Sequence, residues 1–294
     1  MLITLQNINK SFLDKSILKD VNLTINEKDR VGLLGINGVG KTTLLNIISG
    51  VLEYDEGTLA TKPNLRVGYL RQNEALNTSN TLRKEIQNAL KLAFDTRKQL
   101  EEISKKMSVA SSDEYTSLST EYERLTSIYD ACDGYNAEVR INTVLNGMGF
   151  SDFNLDGSIS VLSGGEKTRF ALAKILVENP DLLILDEPTN HLDFSMLNWL
   201  ENYLESYKGA VIIVSHDQIF IDNLVNKVIE LENHKATMFS GNYTYYINEK
   251  QLRYEQALKA YNIQEREIKR YEMLIRKFKP KPTKTAFAQS LEKK

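Results

Sequence analysis

Residues 30–43 read RVGLLGINGVGKTT. The short apolar run Arg30–Leu34 has strand character and passes directly into Gly35–Thr42, GINGVGKT, which fits the pattern G-x-x-x-x-G-K-[ST] in full. A helix is expected from about Lys41 to Ser49, so the loop lies between a strand and a helix, as this pattern requires. In such a loop the glycines let successive backbone N–H groups turn inward around phosphate oxygens. Lys41 adds charge at the outer phosphates, and the Thr42 hydroxyl is placed for Mg²⁺. Asn37, Gly38, Val39, Gly40, Lys41, Thr42 and Thr43 are therefore the expected phosphate-binding residues. The bland alternative is a glycine-rich turn met by chance.

A second run, Leu182–Leu185, is pure hydrocarbon and leads into Asp186–Asp193, DEPTNHLD. An apolar run without alternation suits a strand buried on both faces of a parallel sheet, whose C-terminal end is where such sheets hold ligands. Asp186 is the candidate for the metal or its water shell, and Glu187 for the attacking water; two carboxylates at a strand end could equally cap the next helix. Val211–Val214 is another such strand and ends in Ser215-His216-Asp217, which brings His216 to the same edge as a γ-phosphate or water contact. Lone histidines are more often surface or core residues, the reading given to His234. His191 beside two carboxylates is too little for a zinc site. Leu162–Glu166, LSGGE, carries a capping-box pattern between Ser163 and Glu166, with Gly164 and Gly165 leaving the helix N-terminus open; it is either an anion site or simply a helix start.

The chain has 294 residues, with 41% hydrophobic and 26% charged, which argues against general disorder. Cys132 is the only cysteine and cannot form an internal disulfide, and the N-terminus lacks a signal-peptide pattern; both point to a reducing cytoplasm. No apolar run approaches the roughly 18 residues of a membrane helix. The net charge of -2 conceals an asymmetry. Residues 250–294 hold 13 Lys/Arg against 5 Asp/Glu, a local net of +8 that leaves about −10 on the rest, so a polyanionic partner is expected at this tail.

Along the chain, strands are expected at Leu2–Ile8, Val21–Ile25, Arg30–Leu34 and Arg66–Leu70, the last followed by Gln72. From Thr81 to Asp130 a polar, helix-favouring stretch with a break near Ser108–Asp113 predicts two antiparallel helices. Further helices are expected near Tyr135–Leu145, from LSGGE to before Pro180, at Ser195–Ser206 and at Gln218–Leu224. One long helix should run from Asn242 to about Phe278. KPKPTKT then breaks it, and another helix begins near Ala286.

In this order the motifs resemble the ATP-binding cassette family over Met1 to about Ser240. GINGVGKTT is similar to its phosphate loop, Gln72 to its Q-loop, LSGGE to its signature, LLILDE to its Walker B strand and glutamate, and SHD to its switch histidine. Phe12 falls where the family places an aromatic under adenine. The fold so implied is a P-loop NTPase: a parallel-sheet core with an antiparallel β-subdomain and a helical subdomain, at residues 1–241. Residues 242–294 would form a basic helical linker. DEPTNHLD resembles the ABC-F branch, as do the helical insertion at about 81–130, which matches its arm, and FKPKPTKTAFAQS, which matches its linker turn. The resemblance implies ATP and Mg²⁺ as ligands and hydrolysis by Glu187, His216 and Lys41. Metal contacts would come from Thr42, Gln72 and Asp186.

Family members close two ATPs between two cassettes, so Ser163, Gly164, Gly165 and Glu166 would meet ATP held by a partner, either a C-terminal cassette or a second copy. Asn190–Asp193 would line that interface, His191 included. The branch acts on ribosomes, some members as translation factors and others in antibiotic protection, with the linker reaching toward the P-site tRNA. The cationic cluster Arg276–Lys284 is then an RNA contact, although such runs are usually solvated helix ends. Because the chain stops at Lys294 in the second linker helix, it reads as an N-terminal piece. The alternative function is the ATP-binding subunit of a membrane transporter, which shares every ATP motif.

Overall fold

The computed structural model describes residues 1–13, 15–71, 76 and 79–278. The chain divides into two compact units, Met1–Tyr243 and Thr244–Lys294.

In the first unit a six-stranded sheet has the order β5-β6-β7-β3-β8-β9, formed by Val67–Leu70, Leu182–Asp186, Ala210–Val214, Arg30–Leu34, Lys227–Glu232 and Lys235–Phe239 respectively. All neighbours are parallel except β9, which returns antiparallel on β8 through the turn at Asn233–His234. β6 and β7 carry the unbroken apolar runs, and every residue of both except Asp186 is buried. Helices cover each face, so hydrophobic side chains are satisfied on both sides while the backbone groups pair within the sheet.

One face packs against α1 (Lys41–Ile48) and a separate three-stranded antiparallel sheet of order β2-β1-β4: Lys15–Ile25, Ile3–Phe12 and Glu56–Thr61. The other face packs against α6 (Gly164–Glu178) and α7 (Phe194–Glu205), with α2 (Leu82–Ala89) and α5 (Ala137–Gly147) beyond. α8 (Gln218–Leu224) joins β7 to β8. These layers are the parallel core, antiparallel subdomain and helical subdomain expected.

β1 and β2 run longer than their apolar cores suggested, because their outer halves pair with each other while exposing polar side chains. The stretch 81–130 holds three helices where two were expected. α2 packs its Leu82 and Ile86 into the core, and only α3 (Lys91–Met107) and α4 (Ser112–Ala131) form the antiparallel pair. The polarity of α2 hid this, since its core face is just three residues wide: Leu82, Glu85 and Ile86. In the second unit, α9 (Tyr243–Phe278) is a single 36-residue helix, as its pattern predicted. Gln72, the cluster beyond Phe278 and the helix expected near Ala286 lie outside the described residues.

Arg30, at the start of β3, is 7% exposed. Its guanidinium donates to the carbonyls of Leu204 at 2.8 Å, Gly209 at 2.8 Å, Lys28 at 3.1 Å and Tyr207, tying the C-terminal end of α7 to the strand that feeds the phosphate loop. Leu204 lies at the end of α7, where its carbonyl also accepts from the Tyr207 N–H at 3.3 Å, and the other carbonyls lie in the loops just before β3 and β7. Arg30→Met should strip the guanidinium's hydrogen bonds from these carbonyls and cost about 2–4 kcal/mol. A drop of that size in urea unfolding is expected, and Arg30→Lys should recover only part of it because one ammonium cannot span the fork.

Candidate nucleotide-binding site

Three strand ends and one helix start meet at the C-terminal edge of the parallel sheet. β3 opens into Gly35–Gly40, β6 into Asp186-Glu187 and β7 into Ser215-His216, around an open cleft of about 740 Å³. Its walls include Phe12, Asn37, Gly38, Gly40, Lys41, Thr42, Thr43, Asp186, Glu187 and His216, so most of the sequence-predicted residues converge. Val39 does not line it. Its side chain turns under the loop, where a Cβ at Gly35 would lie 2.9 Å from it.

The loop needs glycine at two places in particular. Gly38 has φ 78° with open space around it, and Gly40 has φ 112° where a Cβ would come within 2.7 Å of Ile17. α1 starts at Lys41 without a side-chain cap, so its first N–H groups remain for an anion. Lys41 Nζ donates to the Gly35 carbonyl at 2.7 Å and the Ile36 carbonyl at 3.2 Å, which holds the ammonium over the loop with one donor to spare.

Asp186 and Glu187 occupy different environments. Burial raises the Asp186 carboxyl above its ordinary value, opposed by Lys41. Burial also raises Glu187, opposed chiefly by His216. Glu187 adopts φ 54°, a left-handed conformation that a residue with a Cβ adopts at a cost. Its N–H donates to the Val214 carbonyl at 2.8 Å, which extends the β6–β7 ladder by one rung past Asp186. Its carboxylate accepts from the His216 N–H at 3.4 Å and lies 3.5 Å from His216 Nε2. Thr189 Oγ1 and Ser215 Oγ are 3.1 Å apart and close the floor between these strands. Lys41, Thr42 and Asp186 supply charge and hard oxygen donors, a set that suits phosphate with Mg²⁺.

Several lining residues escape the sequence reading. Ile17 does so because the alternation that marks β2 begins only at Val21, and Thr189 and Asp217 stand inside the DEPTNHLD and SHD motifs without a role of their own in them. Phe12 is 47% exposed, with Lys10 Nζ 5.5 Å from its ring centroid.

Ser163, Gly164, Gly165 and Glu166 do not line this cleft. Their capping box is formed: the Ser163 N–H donates to Glu166 Oε2 at 2.7 Å, and the Glu166 N–H to Ser163 Oγ at 3.3 Å. Gly164 faces open space, whereas a Cβ at Gly165 would lie 3.4 Å from the His191 ring. His191 therefore lies against the signature turn of its own chain.

Because Glu187 is raised by burial, its charge destabilises the ligand-free fold. That penalty is absent below the ordinary value of 4.5 and appears as pH rises through the folded value. Glu187→Gln should accordingly raise the melting temperature at pH 7, with the gain vanishing below about pH 4.5; a melting curve at each pH tests this.

Family models described as "ABC transporter" match residues 18–190 and 229–294. The chain is 38% identical over 293 residues to the putative ATP-binding protein YdiF of Bacillus subtilis, covering 100% of this chain and 46% of that protein. It is 36% identical over 269 residues to ABC transporter F family member 5 of Arabidopsis thaliana, covering 90% and 39%. It is 36% identical over 242 residues to the energy-dependent translational throttle protein EttA of Escherichia coli K12, covering 82% and 43%. The chain thus spans about half or less of these relatives' lengths. Among solved structures, an ATP-binding subunit of an ABC transporter matches with a TM-score of 0.63 at 17% identity, covering 82% of this chain and 90% of that one, a likeness of fold. With its phosphate loop, LSGGE turn and DEPTNHLD loop in this order on this fold, the chain belongs to the ATP-binding cassette ATPase family, in its F branch.

Proposed function

We propose that the chain binds ATP with Mg²⁺ in the cleft and, paired with a second cassette, hydrolyses it in an ATP-driven cycle on the ribosome in the cytoplasm. The observation that carries the ATPase reading is the meeting of Lys41, Asp186, Glu187 and His216 at one sheet edge.

In this reading the N–H groups of Gly38–Thr43 and the Lys41 ammonium hold the phosphates. Thr42 and Asp186 would hold Mg²⁺, with Gln72 as the expected third contributor; when bound, the ion neutralises charge across the outer phosphates. Phe12 would stack under adenine. Glu187 orients the attacking water and takes its proton, a role suited to a carboxyl raised by burial. His216, 3.5 Å away, steadies that carboxylate. Ser163, Gly164, Gly165 and Glu166 would complete the site on the opposing cassette, supplied by a second domain or a second copy.

The ribosomal reading, in translation control or antibiotic protection, draws on the translational role carried in the name of EttA and on the net charge of +8 over residues 250–294. Among the described residues no helix is long and apolar enough to cross a membrane.

Glu187→Gln should lower ATP turnover by about 10²–10⁴-fold with nucleotide affinity kept within a few-fold, measured by phosphate release and by fluorescent-nucleotide titration. Unchanged turnover would remove Glu187 from the role. The same variant with ATP should co-sediment with ribosomes, and binding should weaken steeply between about 50 and 200 mM salt, as phosphate contacts do. Absence of binding at any salt would turn the reading to a transporter's ATP-binding subunit.

A further inference from the structure

We infer that Glu85 and Lys174 are positioning residues for the Ser163–Glu166 turn, and that α2, which carries Glu85, links the α3/α4 hairpin to that turn.

Glu85 is one of few charged residues in the core, at 5% exposure, on the same face of α2 as Leu82 and Ile86. Its Oε1 accepts from Lys174 Nζ at 2.6 Å and its Oε2 from Asn80 Nδ2 at 2.8 Å. Lys174 belongs to α6, the helix that LSGGE opens. Stability alone gives a weak account of such a pair. Burial pushes the Glu85 carboxyl up, yet the hydrogen bonds from Lys174, itself a quarter exposed, and from Asn80 hold it below its ordinary value; a hydrophobic pair of similar volume can serve stability as well, and the best-attested use of a buried pair is to fix register. Here the register is that of α6 on α2. Lys174 lies ten residues after Gly164, about 15 Å along a rigid helix, so fixing one end places the other.

A second attachment reaches the turn from its other side. The N–H groups of Leu82 and Arg83 donate to the carbonyls of Gly157 at 3.1 Å and Leu155 at 2.8 Å. The Ile159 N–H donates to the Asn80 carbonyl at 3.1 Å. Arg83 adds an ion pair with Asp156 at 2.7 Å. The segment so held reaches Ser163 four residues after Ile159. The signature turn is thus anchored fore and aft to one short helix.

At its other end α2 passes into the hairpin through Leu90 alone. The Leu90 N–H donates to the Gln87 carbonyl at 3.0 Å and the Phe94 N–H to the Leu90 carbonyl at 3.1 Å, so α2 ends and α3 begins on this one residue, which leaves the helical conformation at φ −118° and ψ 30°. Leu90, Ala93 and Thr96 root α3 in the core. Displacement of the hairpin by a macromolecule gripping it is therefore passed to α2, and from α2 to α6. The consequence for turnover rests on the proposed role of the signature turn, but the experiment reads the turn itself and needs no nucleotide, so either can fail without the other.

The test is amide hydrogen exchange of the 294-residue chain, read at Glu166 and Lys167, whose N–H groups bond to Ser163. Glu85→Gln with Lys174→Met keeps the volume and removes the charges. Exchange at these two amides should rise about tenfold while β3 and β6 keep their protection. Replacing residues 98–126 by a Gly-Ser-Gly turn should raise the same amides in the parent chain and add nothing in the Glu85→Gln/Lys174→Met background. If the shortened hairpin does not fold, Leu92→Gly softens the junction at an exposed position and is held to the same outcome. Signature amides unmoved by the charge removal, or moved only together with β3 and β6, would reduce the pair to a structural contact. Strictly additive effects would cut the link to the hairpin.

Discussion

The cleft exists where it does because β6, β7 and their parallel neighbours are covered on both faces. A strand with helices above and below has no place for a charged side chain along its length. Carboxylates and histidine can appear only where the chain leaves the sheet, and parallel direction puts all those exits on one side. Asp186, Glu187 and His216 are near one another because their strands are hydrocarbon. The left-handed turns of Gly38 and Gly40 then fold the backbone of the neighbouring exit into donors facing the same space.

Within that frame the molecule accepts local cost at one residue. Glu187 is raised by burial and held with φ 54°, yet its N–H still completes the ladder to Val214. The hydrogen bond fixes where the backbone stops being a strand, and the unfavourable dihedral turns the carboxylate back toward His216. A glycine could make the turn but would supply no carboxylate. The opposite end of the layer is secured differently, by Arg30 joining the Leu204 carbonyl at the end of α7 to the Gly209 carbonyl before β7, so the helix after DEPTNHLD and the strand before GINGVGKT share one anchor.

Much of this was legible in the sequence for a physical reason. Phosphate loops, capping boxes and doubly buried strands are local rules, and GINGVGKT, LSGGE and LLILDE each state one completely. The antiparallel strand pair partners β4 and β9 were not legible, since EGTLAT and KATMF carry too few buried positions to alternate clearly, and β8 went unread with them. α2 merges with the hairpin because a helix with a three-residue core face looks solvent-exposed in sequence. Ile17 reaches the cleft through tertiary placement that no spacing encodes. The placement of His191 on Gly165 is of the same kind: an ordinary histidine until two loops distant in the chain are brought together.

The α3/α4 hairpin has a geometrical property that comes from its being two plain helices on a buried root. Its tip, between Met107 and Ser112, makes no bond to the sheet in the described residues. Residues could be gained or lost there without disturbing the core, but each residue added to a helix rotates the remainder of that helix by about 100°. Sequences that differ in hairpin length by other than whole turns would therefore aim their tips in different directions from an identical foundation. Length in this segment works as an angular setting as much as a measure of reach.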